Sequence, residues 1–123
     1  MNLLDNGKLN YIIYLFTTYG ESLSGGLVAM HKLAHKLAEL DNNVYIFCKP
    51  EYPHENIHVL ISHQHDTWEP FSFLLYNTIS IYPQIIYNNP FNTKHVVRWL
   101  LYNSDIDREE TWGDNDVIFN FNN

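Results

Sequence analysis

A paired glycine, in Glu21-Ser22-Leu23-Ser24-Gly25-Gly26, separates the apolar run Tyr11-Ile12-Ile13-Tyr14-Leu15-Phe16 from an amphipathic segment, Leu27 to Leu40. A strand that feeds a glycine turn and then a helix leaves unpaired backbone N–H groups and the positive end of a helix dipole beside the carboxyl end of a sheet. In α/β folds that edge takes anionic or sugar-bearing ligands. The glycines also read as a turn that lets helix and strand approach closely, which needs no ligand. They lack the third glycine of a dinucleotide fingerprint and the Lys-Ser/Thr of a P-loop.

The segments around this turn predict the rest of the fold. Residues 10–16 are apolar on both parities, as a strand covered on both faces requires, and are expected to form a central strand. Leu27, Met30, Leu33, Ala34, Leu37 and Leu40 recur at helical spacing, capped by Ser24 or the glycines. Asp41-Asn42-Asn43 breaks the helix, and Val44 to Cys48 forms a second strand, completing a βαβ unit with a right-handed crossover. Alternation from Ile57 to Ile61 and the run Thr78 to Tyr82 predict two more strands, and Asp114 to Phe121 a last one. Asn89-Pro90 carries the residues of a helix start, and the spacing of Val96, Val97, Leu100 and Leu101 predicts a helix ending near Asn103. Asp66 to Pro70 reads as loop, and Phe71 to Tyr76 fits either a helical turn or an extended segment. The expected architecture is a Rossmann-like, three-layer α/β domain, with an open, mainly parallel sheet and helices on both faces.

A chain of 123 residues is the size of one domain, so residues 1–123 are read as a single unit. Seven Lys and Arg against fourteen Asp and Glu give a net charge of −7, with no basic cluster. That excludes counterion-release binding to nucleic acid and electrostatic attachment to anionic membranes. No apolar run reaches the length of a transmembrane span, and the amino terminus lacks the pattern of a signal peptide. Cys48 is the only cysteine, so no internal disulfide forms, and a cytoplasmic location is expected.

Several clusters invite chemical readings. His31 and His35 stand one helical turn apart, a metal-binding spacing, but the Leu33/Leu37 face turns them outward as solvated surface. His63-Gln64-His65-Asp66 offers two imidazoles and a carboxylate, suited to a general base more than to a metal. Glu109-Glu110 and Asp105 to Asp107 read as solvated surface, and Ser22, Ser24 and Ser62 lack a nucleophile-elbow context. Cys48 reads as a buried apolar residue.

The segment Ile81-Tyr82-Pro83-Gln84-Ile85-Ile86-Tyr87-Asn88-Asn89-Pro90, followed by Val96-Val97-Arg98-Trp99-Leu100-Leu101, resembles the amino-terminal domain of GT-B-fold glycosyltransferases of the glycosyltransferase 4-like kind. In that family a strand ends in a Tyr-Pro-Glu-like motif, continues to Gly-Asn-Pro, and enters a helix bearing Val-Val-Arg-Trp/Tyr-Leu-Leu. The early strand, the glycine turn, a helix ending in Leu-Ala-Glu-Leu and the strand Asn43 to Phe47 agree in order and spacing, so the resemblance spans residues 9–121. Gln84 replaces the family's frequent acid and Asn88 its glycine.

The resemblance implies one half of a GT-B fold, without the carboxy-terminal donor-binding domain. It implies transfer of a sugar from a nucleotide-sugar to a glycan or other hydroxyl acceptor, with this half holding the acceptor and little activity alone. Substrate binding is then expected from Ser24, Gly25, Gly26, Tyr82, Pro83, Asn89 and Arg98, with His63 or His65 as base, although Arg98 equally suits a structural ion pair. No cofactor or metal is implied. The expected partners are the donor, the acceptor, a separate donor-binding domain or chain, and a second copy through the exposed cleft face. Nine tyrosines, seven phenylalanines and three tryptophans support an alternative, a non-catalytic carbohydrate- or protein-binding module. A small nucleotide-binding protein is a third reading, which the incomplete glycine motif disfavours.

Overall fold

Ile12 and Ile13 point to opposite sides of the same strand, yet neither is exposed, so this part of the chain lies between two covered faces. The computed structural model describes residues 9–20, 25–60, 78–100, 113 and 115–120. Strands β1 (Asn10–Ile13), β2 (Asn43–Ile46), β3 (Ile57–Val59), β4 (Thr78–Pro83), β5 (His95–Leu100) and β6 (Val117–Asn120) form one sheet, and helix α1 (Gly25–Glu39) joins β1 to β2. The order is β3-β2-β1-β4-β5-β6, and every neighbouring pair is parallel. This is the Rossmann-like order, with β1 inside the sheet as its sequence requires and the direction of strand addition reversing between β1 and β4.

Each face has its own core. Ile13, Leu15, Val44, Ile46, Ile81 and Trp99 turn to the face covered by Met30, Ala34 and Ala38 of α1. Ile12, Tyr82 and Val96 turn to the other face, where Phe91 from the β4–β5 connection packs on them. Tyr14, Phe16, Tyr45 and Phe47 extend this second cluster as half-buried rings, with Phe16 and Phe47 stacked at 4.7 Å and 5°.

The ends of α1 show how local chemistry sets boundaries. Asp41 N–H donates to the Ala38 carbonyl at 3.0 Å and Asn42 N–H to the Leu37 carbonyl at 3.1 Å, the paired bonds of a Schellman stop. The stop requires a left-handed residue, here Asp41 with φ of 69°. Asn56 ties this end to β3: its side-chain amide donates to the Ala38 carbonyl at 3.0 Å, while its own carbonyl accepts from Val44 N–H at 2.8 Å.

Two expectations need correction. Residues 95–100 are not helical but form β5, in register with β4 from Ile79↔His95 to Pro83↔Trp99. Asn89-Pro90 opens only a turn, closed by Asn92 N–H on the Asn89 carbonyl at 2.8 Å, and Asn92 at φ of 55° halts any helix. Beyond it, β-branched Val96 and Val97 fit the pleated surface beside β4. Second, His31 and His35 are not solvated: both are buried. The helix approaches the sheet along its smallest side chains, Gly26, Ala34 and Ala38, which brings the two imidazoles into the interior and leaves Leu33 and Leu37 half-buried on the flank.

The sheet ends in two edges, β3 and β6, where Val59, Val117 and Ile118 are exposed. No helix among the described residues is long and apolar enough to cross a membrane. Ile13 sits at the centre of the α1-facing core, so Ile13→Ala is expected to lower stability by about 3 kcal/mol in urea unfolding, through lost transfer energy and a residual cavity.

Candidate functional site

Parallel strands direct their carboxyl ends to one edge, and where the order reverses, the connections leave in opposite directions and open a crevice. Here that point lies between the ends of β1 and β4. Tyr14 N–H still donates to the Ile81 carbonyl at 2.9 Å and Phe47 N–H to the Leu15 carbonyl at 3.1 Å, so the strands remain joined up to the crevice floor. Beyond it the β1–α1 loop goes one way and the β4–β5 connection the other.

The β1–α1 loop is fastened at three points. The Thr17 carbonyl accepts from His31 Nε2–H at 2.8 Å, which fixes the imidazole tautomer and anchors the loop to α1. Tyr19 N–H donates to the Lys49 carbonyl at 3.1 Å, and Lys49 N–H donates to Thr18 Oγ1 at 3.3 Å, tying the loop to the segment after β2. The Tyr19 ring meets His31 edge-on at 5.2 Å. Gly20 follows at φ of 96°, a conformation that favours glycine, and α1 begins at Gly25, which is exposed, while Gly26 is buried.

The opposite side of the crevice is held by a network buried within the β4–β5 connection. The Tyr82 hydroxyl donates to Asn89 Oδ1 at 2.5 Å and accepts from Phe91 N–H at 2.8 Å. Asn89 Nδ2 donates to the Thr93 carbonyl at 2.8 Å. Arg98, fully buried, donates from Nε to Asp116 Oδ2 at 2.8 Å, from Nη1 to the Ile86 carbonyl at 3.3 Å and from Nη2 to the Asn88 carbonyl. Its guanidinium also lies 4.8 Å from the centre of the Tyr82 ring. A left-handed Asn88, φ of 60°, lets the turn present these carbonyls inward.

The expected site residues therefore divide. Gly25 and Gly26 lie at the crevice edge, as does Pro83 at the end of β4. Tyr82, Asn89 and Arg98 come together, bonded to one another's turn, while Ile85 and Tyr87 form the exposed part of that connection. Ser24, His63 and His65 lie outside the described residues, as do Trp68, the 71–76 stretch and the carboxylates near 105–110. Thr17 and Thr18 carry no motif beyond a Thr-Thr-Tyr-Gly run between strand and helix, and His31 stands out in the sequence only for its one-turn spacing from His35. Among the described residues no group of three or more His, Cys, Asp or Glu could hold a metal ion. Cys48 is buried, and burial pushes its thiol up to about 11, which leaves it a poor nucleophile at neutral pH. At this end of the sheet lie the start of α1, Thr17 and Thr18 and the connection that carries the exposed Tyr87. No protein-family model, curated protein or solved structure matches this chain.

Two outcomes test the buried network. Burial pushes the Tyr82 hydroxyl up to about 12, against the opposing pull of Phe91 N–H, Ser80 and Arg98. The unfolded chain then loses this proton near pH 10 while the folded chain keeps it, so stability is full below pH 10 and falls between 10 and 12, by up to about 1.4 kcal/mol per pH unit. Unfolding curves across that range are expected to show a shallower fall in Tyr82→Phe. Asp116→Ala leaves the Arg98 guanidinium buried without its counter-charge, and urea unfolding is expected to register a loss of about 3 kcal/mol.

Proposed function

We propose that the crevice between β1 and β4 binds carbohydrate, and that the chain is the acceptor-side domain of a glycosyltransferase moving a sugar from a nucleotide-sugar to a glycan or other hydroxyl acceptor. The observation that carries this reading is the reversal of strand order between β1 and β4. Because of it, the start of α1 at Gly25 and the segment from Tyr82 to Asn89, which carries part of the resemblance, lie at the same, carboxyl end of the sheet. The α1 amides suit a developing negative charge on a leaving phosphate, and the exposed Tyr87 ring suits stacking on a sugar. His63 or His65 remains the proposed base. The donor would be held by a separate domain or chain, and the site of action would be the cytoplasm.

A second reading, a carbohydrate-binding module without catalysis, is favoured by one observation. The polar groups of Tyr82, Asn89 and Arg98 are engaged inside the fold and are not presented to a substrate.

Saturation-transfer NMR with a panel of oligosaccharides, nucleotides and nucleotide-sugars tests the first reading, combined with amide-shift mapping and a sugar-transfer assay. Oligosaccharide binding that shifts Thr17 to Gly20, Gly25 and Ile85 to Asn88, with transfer restored only by a donor-binding partner, is the expected result. Glycan binding with no transfer under any pairing favours the module. Binding of free nucleotide alone, or robust turnover by the isolated chain, overturns the acceptor-side assignment.

A further inference from the structure

Strand β3 ends the sheet on one side with an open row of backbone groups, and its register with β2 decides which they are. Val44 N–H donates to the Asn56 carbonyl at 2.8 Å and Leu60 N–H to the Ile46 carbonyl at 2.7 Å, so residues 56, 58 and 60 turn their peptide groups toward β2. Ile57 and Val59, between them, direct theirs away from the sheet. Ile57 N–H is used in a turn, on the His54 carbonyl at 3.0 Å. The Ile57 carbonyl and both backbone groups of Val59 are left, and among the described residues nothing pairs with them. Edge strands are commonly guarded by lysine or proline, and Ile57-His58-Val59 has neither.

Beside this edge lies an open cavity of about 250 Å³, walled by Pro50, Tyr52, Pro53, Ile57 and Val59. An apolar cavity of about 150 Å³ holds benzene, so this one has room for a leucine or phenylalanine side chain. It opens on the α1-facing side of the sheet, because Ile57 packs into that core and Val59, two residues on, shares its face. Its far wall is held in place: two prolines restrict the loop, and the Tyr52 ring rests on the buried His35 ring at 4.0 Å and 31°. Residues directly opposite one another in antiparallel strands point to the same face, with Cβ atoms about 5 Å apart. A side chain set opposite Ile57 or Val59 on an added strand therefore faces the cavity that those two residues line. The net charge of −7 disfavours a second copy as the source of that strand and favours a basic segment.

We propose that the β3 edge and its cavity are a docking site for an extended segment of a partner protein, which adds to the sheet as an antiparallel strand, seats an apolar side chain in the cavity and carries basic residues at its ends. The residue opposite Val59 exchanges both backbone hydrogen bonds with it, and the residue opposite Ile57 donates its N–H to that carbonyl. Main-chain bonds then supply affinity, and the cavity selects the side chain. This site is independent of the carbohydrate reading, since it lies at the β3 edge and not at the reversal between β1 and β4.

The test is an NMR titration of the full chain with three capped heptapeptides, each with lysine at both ends, threonine at positions two, four and six, and leucine, valine or phenylalanine at positions three and five. At least one is expected to shift the Val59 amide and the methyls of Ile57 and Val59 saturably, while Val117 and Ile118 on the other edge stay unmoved. Alanine at positions three and five of that peptide is expected to weaken binding about tenfold. N-methylation of the same two residues is expected to cost about tenfold, the worth of two backbone hydrogen bonds. Val59→Pro removes an outward N–H that β2 does not use, and is expected to abolish the response. No response to any of the three peptides, equal shifts at β6, or unchanged binding after N-methylation would each overturn the proposal. So would slow hydrogen exchange at Val59 without peptide, the sign of an edge already covered by the chain itself, or Val59 shifts on dilution, the sign of a second copy. The N-methylated peptide is read on the unaltered chain, so it decides the matter even where Val59→Pro does not fold.

Discussion

Everything in this fold is organised by the backbone pairing of β1 on both of its edges. A parallel strand cannot be joined to its neighbours by tight hairpins, so each pairing commits a crossover segment to one face of the sheet. With β2 on one side and β4 on the other, β1 forces the chain to build in two directions from the centre. The side chains follow from the pairing: Ile13 and Leu15 must find cover on the α1 face, and Ile12 and Tyr14 on the aromatic face. The crevice is a by-product of the same constraint, since connections diverge only where the direction of growth changes.

Polar chemistry on the β4–β5 side has been drawn inward. An arginine with no exposure, over a tyrosine ring and against an aspartate and two carbonyls, stabilises a turn that has left-handed residues at Asn88 and Asn92 and no regular structure of its own. On the β1 side the loop is held at its backbone by the His31 imidazole on the Thr17 carbonyl and by Tyr19 N–H on the Lys49 carbonyl, and through its own Thr18 hydroxyl, which accepts from Lys49 N–H. The connection after β4 is thus fixed around a desolvated charge, and the loop after β1 by three separate hydrogen bonds.

The sequence was most readable where a single periodicity had no rival. Strands β1, β2 and β4 and helix α1 fall where apolar spacing and breakers put them, although the helix already includes Gly25 and Gly26, the pair read as a turn before it. Residues 95–100 were misread because Val-Val-Arg-Trp-Leu-Leu satisfies helical spacing and strand alternation alike, and the preceding Asn-Pro tipped the choice. The orientation of α1 was misread because leucines outweighed alanines on the wheel, whereas close approach to a sheet rewards small side chains. The partner of Arg98 lies 18 residues away in a polar stretch, and only the β5–β6 pairing brings it near, which no local pattern encodes.

The bonds among Tyr82, Asn89, Arg98 and Asp116 also bear on how such a chain can diverge. Each of the four side chains completes the hydrogen bonding of another or of the turn between them, so a change at one position strands groups that the others had satisfied. Sequences descended from this one would be held to alter the four together or not at all, while Ile85, exposed on the same connection, could drift freely. A constellation held together in this way would look in an alignment like an active site, although its constancy would come from folding.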